Sequence, residues 1–107
     1  MELLTKEIEK KLKKFPLYSQ DGKGLDATVL VKFFGGSAAT WLVTEAEKEG
    51  NDWRFFGYVN LGWGWEWGYF MYSELASLKF PPFGLGVERE VYGCKETVRD
   101  YVKEVRS

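Results

Sequence analysis

Three places in this 107-residue chain hold residue types that can do chemistry. Glu45, Glu47, Glu49 and Asp52 gather around Gly50, and carboxylates so close together could hold Mg²⁺ or Ca²⁺. Alternating acids and lysines around a turn also describe a solvated hairpin tip, and that plainer reading is preferred. Glu88-Arg89-Glu90 is the second place. Arg89 could bind a carboxylate or phosphate, or hold a structural ion pair, which is the preferred reading. The third is Gly62-Trp63-Gly64-Trp65-Glu66-Trp67-Gly68-Tyr69-Phe70. It places Trp63, Trp65 and Trp67 two residues apart, so strand-like backbone would set all three indoles on one face.

Composition excludes much of the common catalytic repertoire. The chain has no histidine, so Ser-His and Cys-His nucleophiles are ruled out. Its single cysteine, Cys94, cannot build a zinc cluster or an intrachain disulfide, and argues for a reducing compartment. The glycines are not followed by the Lys-Ser/Thr of a phosphate-binding loop, and no dinucleotide fingerprint is present. No catalytic residue, metal site or cofactor is expected, and the chain reads as non-enzymatic. The N-terminal residues lack the apolar stretch of a signal peptide, and no segment approaches a membrane span, so a cytoplasmic location is expected.

Charge is unevenly spread over a formal net of -1. Residues 1–14 and 95–107 carry nine Lys/Arg against six Asp/Glu, whereas residues 15–94 carry six against ten. The ends are basic and the body acidic, which disfavours a nucleic-acid partner because the body would repel phosphate. Lys10, Lys11, Lys13 and Lys14 read as a solvated helix face.

The elements that must position these residues follow from periodicity. Thr5 caps a helix running to about Lys14, with Leu4, Ile8 and Leu12 as its buried stripe and Pro16 as its stop. Tyr18 to Gly24 is a turn-rich connection. Strands are expected at 27–34, 39–48, 53–60 and 69–72. In the first, Val29, Val31 and Phe33 would share a side. Gly35-Gly36-Ser37 is a short turn, and Glu49-Gly50-Asn51-Asp52 a four-residue hairpin loop. Ser73 caps a short helix from Glu74 to about Leu78, residues 81–86 are loop, and residues 87–92 form a short extended segment. A last helix spans Lys95 to about Val105, with Val98, Tyr101, Val102 and Val105 inward. The expected class is α+β: a single domain with a small antiparallel meander of about four strands, an N-terminal helix, a short helix after the fourth strand and a C-terminal helix.

The segments Leu3-Leu4-Thr5-Lys6-Glu7-Ile8, Leu17 to Gly24, Val31-Lys32-Phe33-Phe34, Phe55-Phe56-Gly57-Tyr58-Val59, Gly68-Tyr69-Phe70 leading into Ser73-Glu74-Leu75, and Gly84 to Glu90 occur together and in order. This set resembles the bacterial domain-of-unknown-function family 2958 over about residues 3–92. The resemblance implies no established activity. It implies a small protein carried by plasmids, phages and other mobile elements, often near antirestriction and conjugation functions. The Trp-Gly run is more aromatic than the family pattern, and the tail after Tyr92 is less typical of it.

Tryptophan and tyrosine are frequent interface anchors, so a protein partner is expected, with a monomer or homodimer as the resting state. Trp63 and Trp65, with Glu45, Glu47, Glu49 and Asp52 as acidic contacts, are the expected partner-binding set. Trp67 is expected in the core. A single-stranded nucleic-acid module using the Trp-rich loop is the alternative.

Overall fold

The computed structural model describes residues 3–36, 38–90 and 97–105. Residues 91–96, with Cys94 and the expected start of the last helix, lie outside them, as does Ser37. Helix α1 spans Lys6–Lys13, and the Thr5 hydroxyl accepts from the Ile8 N–H at 3.2 Å, as its capping role requires. Strands β1 (Val31–Gly35), β2 (Ala39–Glu49), β3 (Asp52–Asn60) and β4 (Trp65–Met71) follow. Helix α2 (Tyr72–Ser77), strand β5 (Glu88–Arg89) and helix α3 (Val98–Val105) complete the chain. The sheet is antiparallel in the order β4-β3-β2-β1-β5. The α+β meander with helices at both ends is the expected class, with a fifth strand added beside β1.

Four local expectations are corrected. The first strand begins at Val31 rather than Ala27, and its alternation breaks before the ladder starts. Val29 packs with Leu42 and Val98, whereas Leu30 and Val31 both join the cluster around Phe33. The β2–β3 loop shortens to Gly50 and Asn51 because Glu49 pairs directly with Asp52. Gly50 supplies the left-handed φ of 61° that so tight a hairpin needs. The fourth strand starts four residues earlier than expected, at Trp65. Finally, Ser73 lies inside α2 and is not its cap. Asp52 reaches across from β3 to accept the Ser73 N–H at 3.0 Å and its hydroxyl at 2.6 Å, and Glu74 accepts the Met71 N–H.

The sheet's two faces are covered differently. On one, Phe33, Trp41, Val43, Trp53 and Phe55 pack under Leu12 of α1, Leu75 of α2 and the chain at Leu3, Leu4 and Val87. On the other, Leu42 packs with Ala27, Val29, and Val98 and Tyr101 of α3. The Tyr101 hydroxyl donates to Glu90 at 2.8 Å and tethers α3 beside β5. This second cluster extends only as far as Tyr58 and Trp65.

Candidate functional site

Register places a band of rings on the half-covered face. Tyr58 lies opposite Trp67, and Phe56 opposite Tyr69. Phe56 and Trp67 stack at 5.7 Å and 10°, and Tyr58 and Trp65 at 5.1 Å and 16°. Tilted contacts of 4.6 Å between Tyr58 and Trp67 and 4.9 Å between Phe56 and Tyr69 join them into one strip. Each such pair adds about 0.5–1.5 kcal/mol beyond area burial, which fixes the rings without covering them. Trp67 is 38% exposed and Tyr69 50%.

A bulge brings an acid into this strip. Val43 pairs with Gly57 but Glu45 pairs with Phe56, so Thr44 is the extra residue on β2. Without it, Glu45 would share the dry face of Val43; with it, Glu45 joins the row Glu45–Phe56–Tyr69. Gly57 permits the close approach at this point, since a β-carbon there would sit 1.8 Å from the Leu42 carbonyl oxygen. The Glu45 carboxylate accepts the Tyr18 N–H at 2.7 Å and the Gln20 N–H at 2.8 Å. It thereby pins the connection between α1 and β1 over the sheet. Gln20 is buried and completes the clamp: its amide donates to the carbonyls of Thr28 and Thr44 and accepts from the Thr28 N–H. Tyr18 takes a left-handed φ of 74° at this point, a conformation that costs a non-glycine residue about 1–3 kcal/mol and is held by its surroundings.

Between the pinned loop and the strip lies a cleft of about 340 Å³, lined by Tyr18, Gln20, Asp21, Thr44, Glu45, Phe56, Trp67 and Tyr69 together with Gly22, Gly24 and Ala27. A hydrogen bond with Tyr18, followed by partial burial, holds the Tyr69 phenol above its ordinary pKa, so that phenol stays neutral at physiological pH.

The residues expected to bind a partner do not form one surface. Trp63 is 79% exposed, but it precedes β4 and does not share a strand face with the other two indoles. Gly62 and Gly64, at φ of 116° and 129°, break the extended backbone there, and the Asn60 side chain accepts from both their N–H groups. Trp65 is half-buried against the α3 cluster. Trp67, expected in the core, lies on the open face instead, because the element that covers that face ends short of it.

The carboxylates are similarly divided. Glu45 is only 4% exposed and serves the clamp. Glu49 binds Arg54, and that hydrogen bond holds its pKa below the ordinary value. Asp52 serves α2, and its bond from the Ser73 hydroxyl lowers its pKa likewise. Glu47 alone of the four is exposed with its side chain uncommitted to such a bond. Arg89 sits in β5 opposite Phe33, in a groove with Thr5, Glu7 and Lys11 on the far side of the sheet from the cleft. Among the described residues, no three His, Cys, Asp or Glu side chains come together to hold a metal ion. No described helix is long and apolar enough to cross a membrane.

Tyr18, Asp21 and Tyr69 line the cleft without having been expected as site residues. One signal was available: Phe56, Tyr58, Trp65, Trp67 and Tyr69 alternate correctly for one face of a hairpin. The family model described as "Protein of unknown function (DUF2958)" matches residues 3–107. No curated protein matches the chain, and no solved structure does.

Proposed function

The chain belongs to the DUF2958 family, and we propose that it is a non-enzymatic binding protein whose target is another protein. The observation that supports this reading is the aromatic strip left open on the second face, with Trp63 beside it at the β3–β4 turn. Exposed tryptophan and tyrosine in rigid, stacked arrangement lose little entropy on binding and anchor many interfaces. Trp63, Trp67 and Tyr69 are the anchors in this reading, with Trp65 as their support and Glu47 as an acidic contact at the rim. Binding blocks the partner's own surface, in the cytoplasm, in the antidefence setting that the family resemblance implies for a mobile element.

The test is capture of a partner from host lysate by the intact chain and by a Trp63→Ala/Trp67→Ala double variant. Circular dichroism verifies the variant's fold. Loss of a specific captured protein in the folded double variant supports the anchors; equal capture by both forms removes them. Single-stranded nucleic acid would also stack on the strip. It would reveal itself as tryptophan quenching by an oligonucleotide that weakens with salt, and the carboxylates at the cleft oppose it. A second copy of the chain is the remaining outcome, read as a concentration-dependent mass in sedimentation.

A further inference from the structure

We propose that the cleft beneath Tyr18 receives an arginine side chain of the protein partner, its guanidinium stacked on Trp67 and facing the carboxylates of Glu45 and Asp21. This rests on the reading of the open face as a protein-binding surface and names the group that surface recognises.

Three features point to a cation. The first is the wall chemistry. Phe56, Trp67, Tyr18 and Tyr69 line the cleft, and an indole face attracts a guanidinium through its quadrupole. The second is an unbalanced charge. Glu45 is almost fully buried, yet its partners are two backbone N–H groups, and among the described residues it has no ion pair. A buried carboxylate without a counter-ion is unfavourable, and a cation entering the cleft supplies one. Asp21, on the exposed side of the same cleft, adds a second carboxylate. The third is the absence of competition. Neither lysine nor arginine is among the residues lining the cleft. Arg54, two residues from Phe56 on β3, is held by Glu49 and does not line it.

Arginine fits these features better than lysine. A planar guanidinium stacks on an aromatic face where an ammonium does not. Its fork of donors also suits a carboxylate whose oxygens each already accept one hydrogen bond.

The probe is the peptide acetyl-Gly-Arg-Gly-amide, titrated into the full chain while tryptophan fluorescence and the ring resonances of Trp67 and Tyr69 are followed. The control is the same peptide with citrulline, which keeps the shape and loses the charge. The arginine peptide is expected to bind about tenfold more tightly than the citrulline peptide. Trp67→Leu weakens it about tenfold and Asp21→Asn about threefold, whereas Phe83→Ala, at an exposed ring outside the cleft and the aromatic strip, leaves it unchanged. Equal affinity for the two peptides, no response to either, or full binding by Trp67→Leu overturns the proposal. If the peptide fails but the Trp63→Ala/Trp67→Ala variant still loses its partner, the protein-binding reading stands and the arginine assignment falls. If the peptide binds as expected but partner capture survives the double variant, the cleft stands and the anchor assignment falls.

Discussion

On one face of the sheet, Phe33, Trp41, Trp53 and Phe55 lie under two helices and the N-terminal segment. On the other, the cluster under α3 reaches Tyr58 and Trp65 and leaves Phe56, Trp67 and Tyr69 outside it. Both faces are aromatic, so aromaticity does not separate core from surface in this chain. What separates them is the element laid on top. Trp53 is buried because α1 lies nearby, its indole N–H donating to Glu9 at 3.3 Å. Trp67 is open because the loop from Tyr18 to Gly24 stands off from it across a cleft. The strip is therefore rigid without being covered, a combination suited to binding.

Substitutions of one ring on each face give the largest expected contrast. Phe55→Ala empties a fully buried site and is expected to cost about 3–5 kcal/mol, close to unfolding the domain. Trp67→Ala removes a half-exposed ring and its stacking partners and is expected to cost about 1–2 kcal/mol. Urea denaturation measures both, and equal losses would erase the distinction between the faces.

Two paired glycines sharpen the same contrast, since Gly57 lies opposite Gly68 in the register. Gly57→Ala drives a β-carbon into the Leu42 backbone at the bulge and is expected to cost about 3 kcal/mol. Gly68→Ala meets open space and is expected to stabilise by about 0.5 kcal/mol through the unfolded chain. A tolerated Gly57→Ala would show that β2 and β3 are free to separate at the bulge.

Glu45→Gln tests the clamp that shapes the cleft. The amide accepts one of the two N–H groups and faces the other with a donor, for an expected loss of about 1–2 kcal/mol. Amide exchange at Tyr18 and Gln20 should accelerate more than exchange in β3. Uniform change across the sheet would argue against a local clamp.

The smallest effect concerns acid. Glu49 and Asp52 both ionise at lower pH in the folded chain, chiefly through the side-chain hydrogen bonds from Arg54 and Ser73 respectively. Their contribution is fully present above their ordinary values of 4.5 and 3.8 and is lost as pH falls through the depressed folded values. Both are solvent-screened, so the effect is small. A Glu49→Gln/Asp52→Asn variant should show a flatter fall in melting temperature across that range than the parent. An unchanged slope would assign the acid sensitivity elsewhere.

The elements were largely legible because their signals are local. The stripe Leu4, Ile8, Leu12 and the cap at Thr5 need only helical spacing, and they hold in the fold. The core of β2 around Trp41-Leu42-Val43 is equally local. The site was less legible. Glu45 looked like a hairpin-tip acid because it stands near Gly50, but β2 extends to Glu49 and the bulge at Thr44 turns Glu45 onto the row of Phe56 and Tyr69, where the Tyr18 loop covers it. Trp67 looked like core because it stands where the family pattern has an aliphatic residue, and nothing local reports which face receives a cover.

The residue pattern alone determined the class, the helices at both ends, the meander, and the lack of histidine-based catalysis, since each depends on spacing or composition within a short window. Tertiary structure decided which aromatics are buried, where the acids point, and that Tyr18, a distant residue in sequence, closes over Phe56, Trp67 and Tyr69. The physical reason is that exposure depends on contacts between segments far apart in the chain, and a one-residue bulge reverses every side chain beyond it.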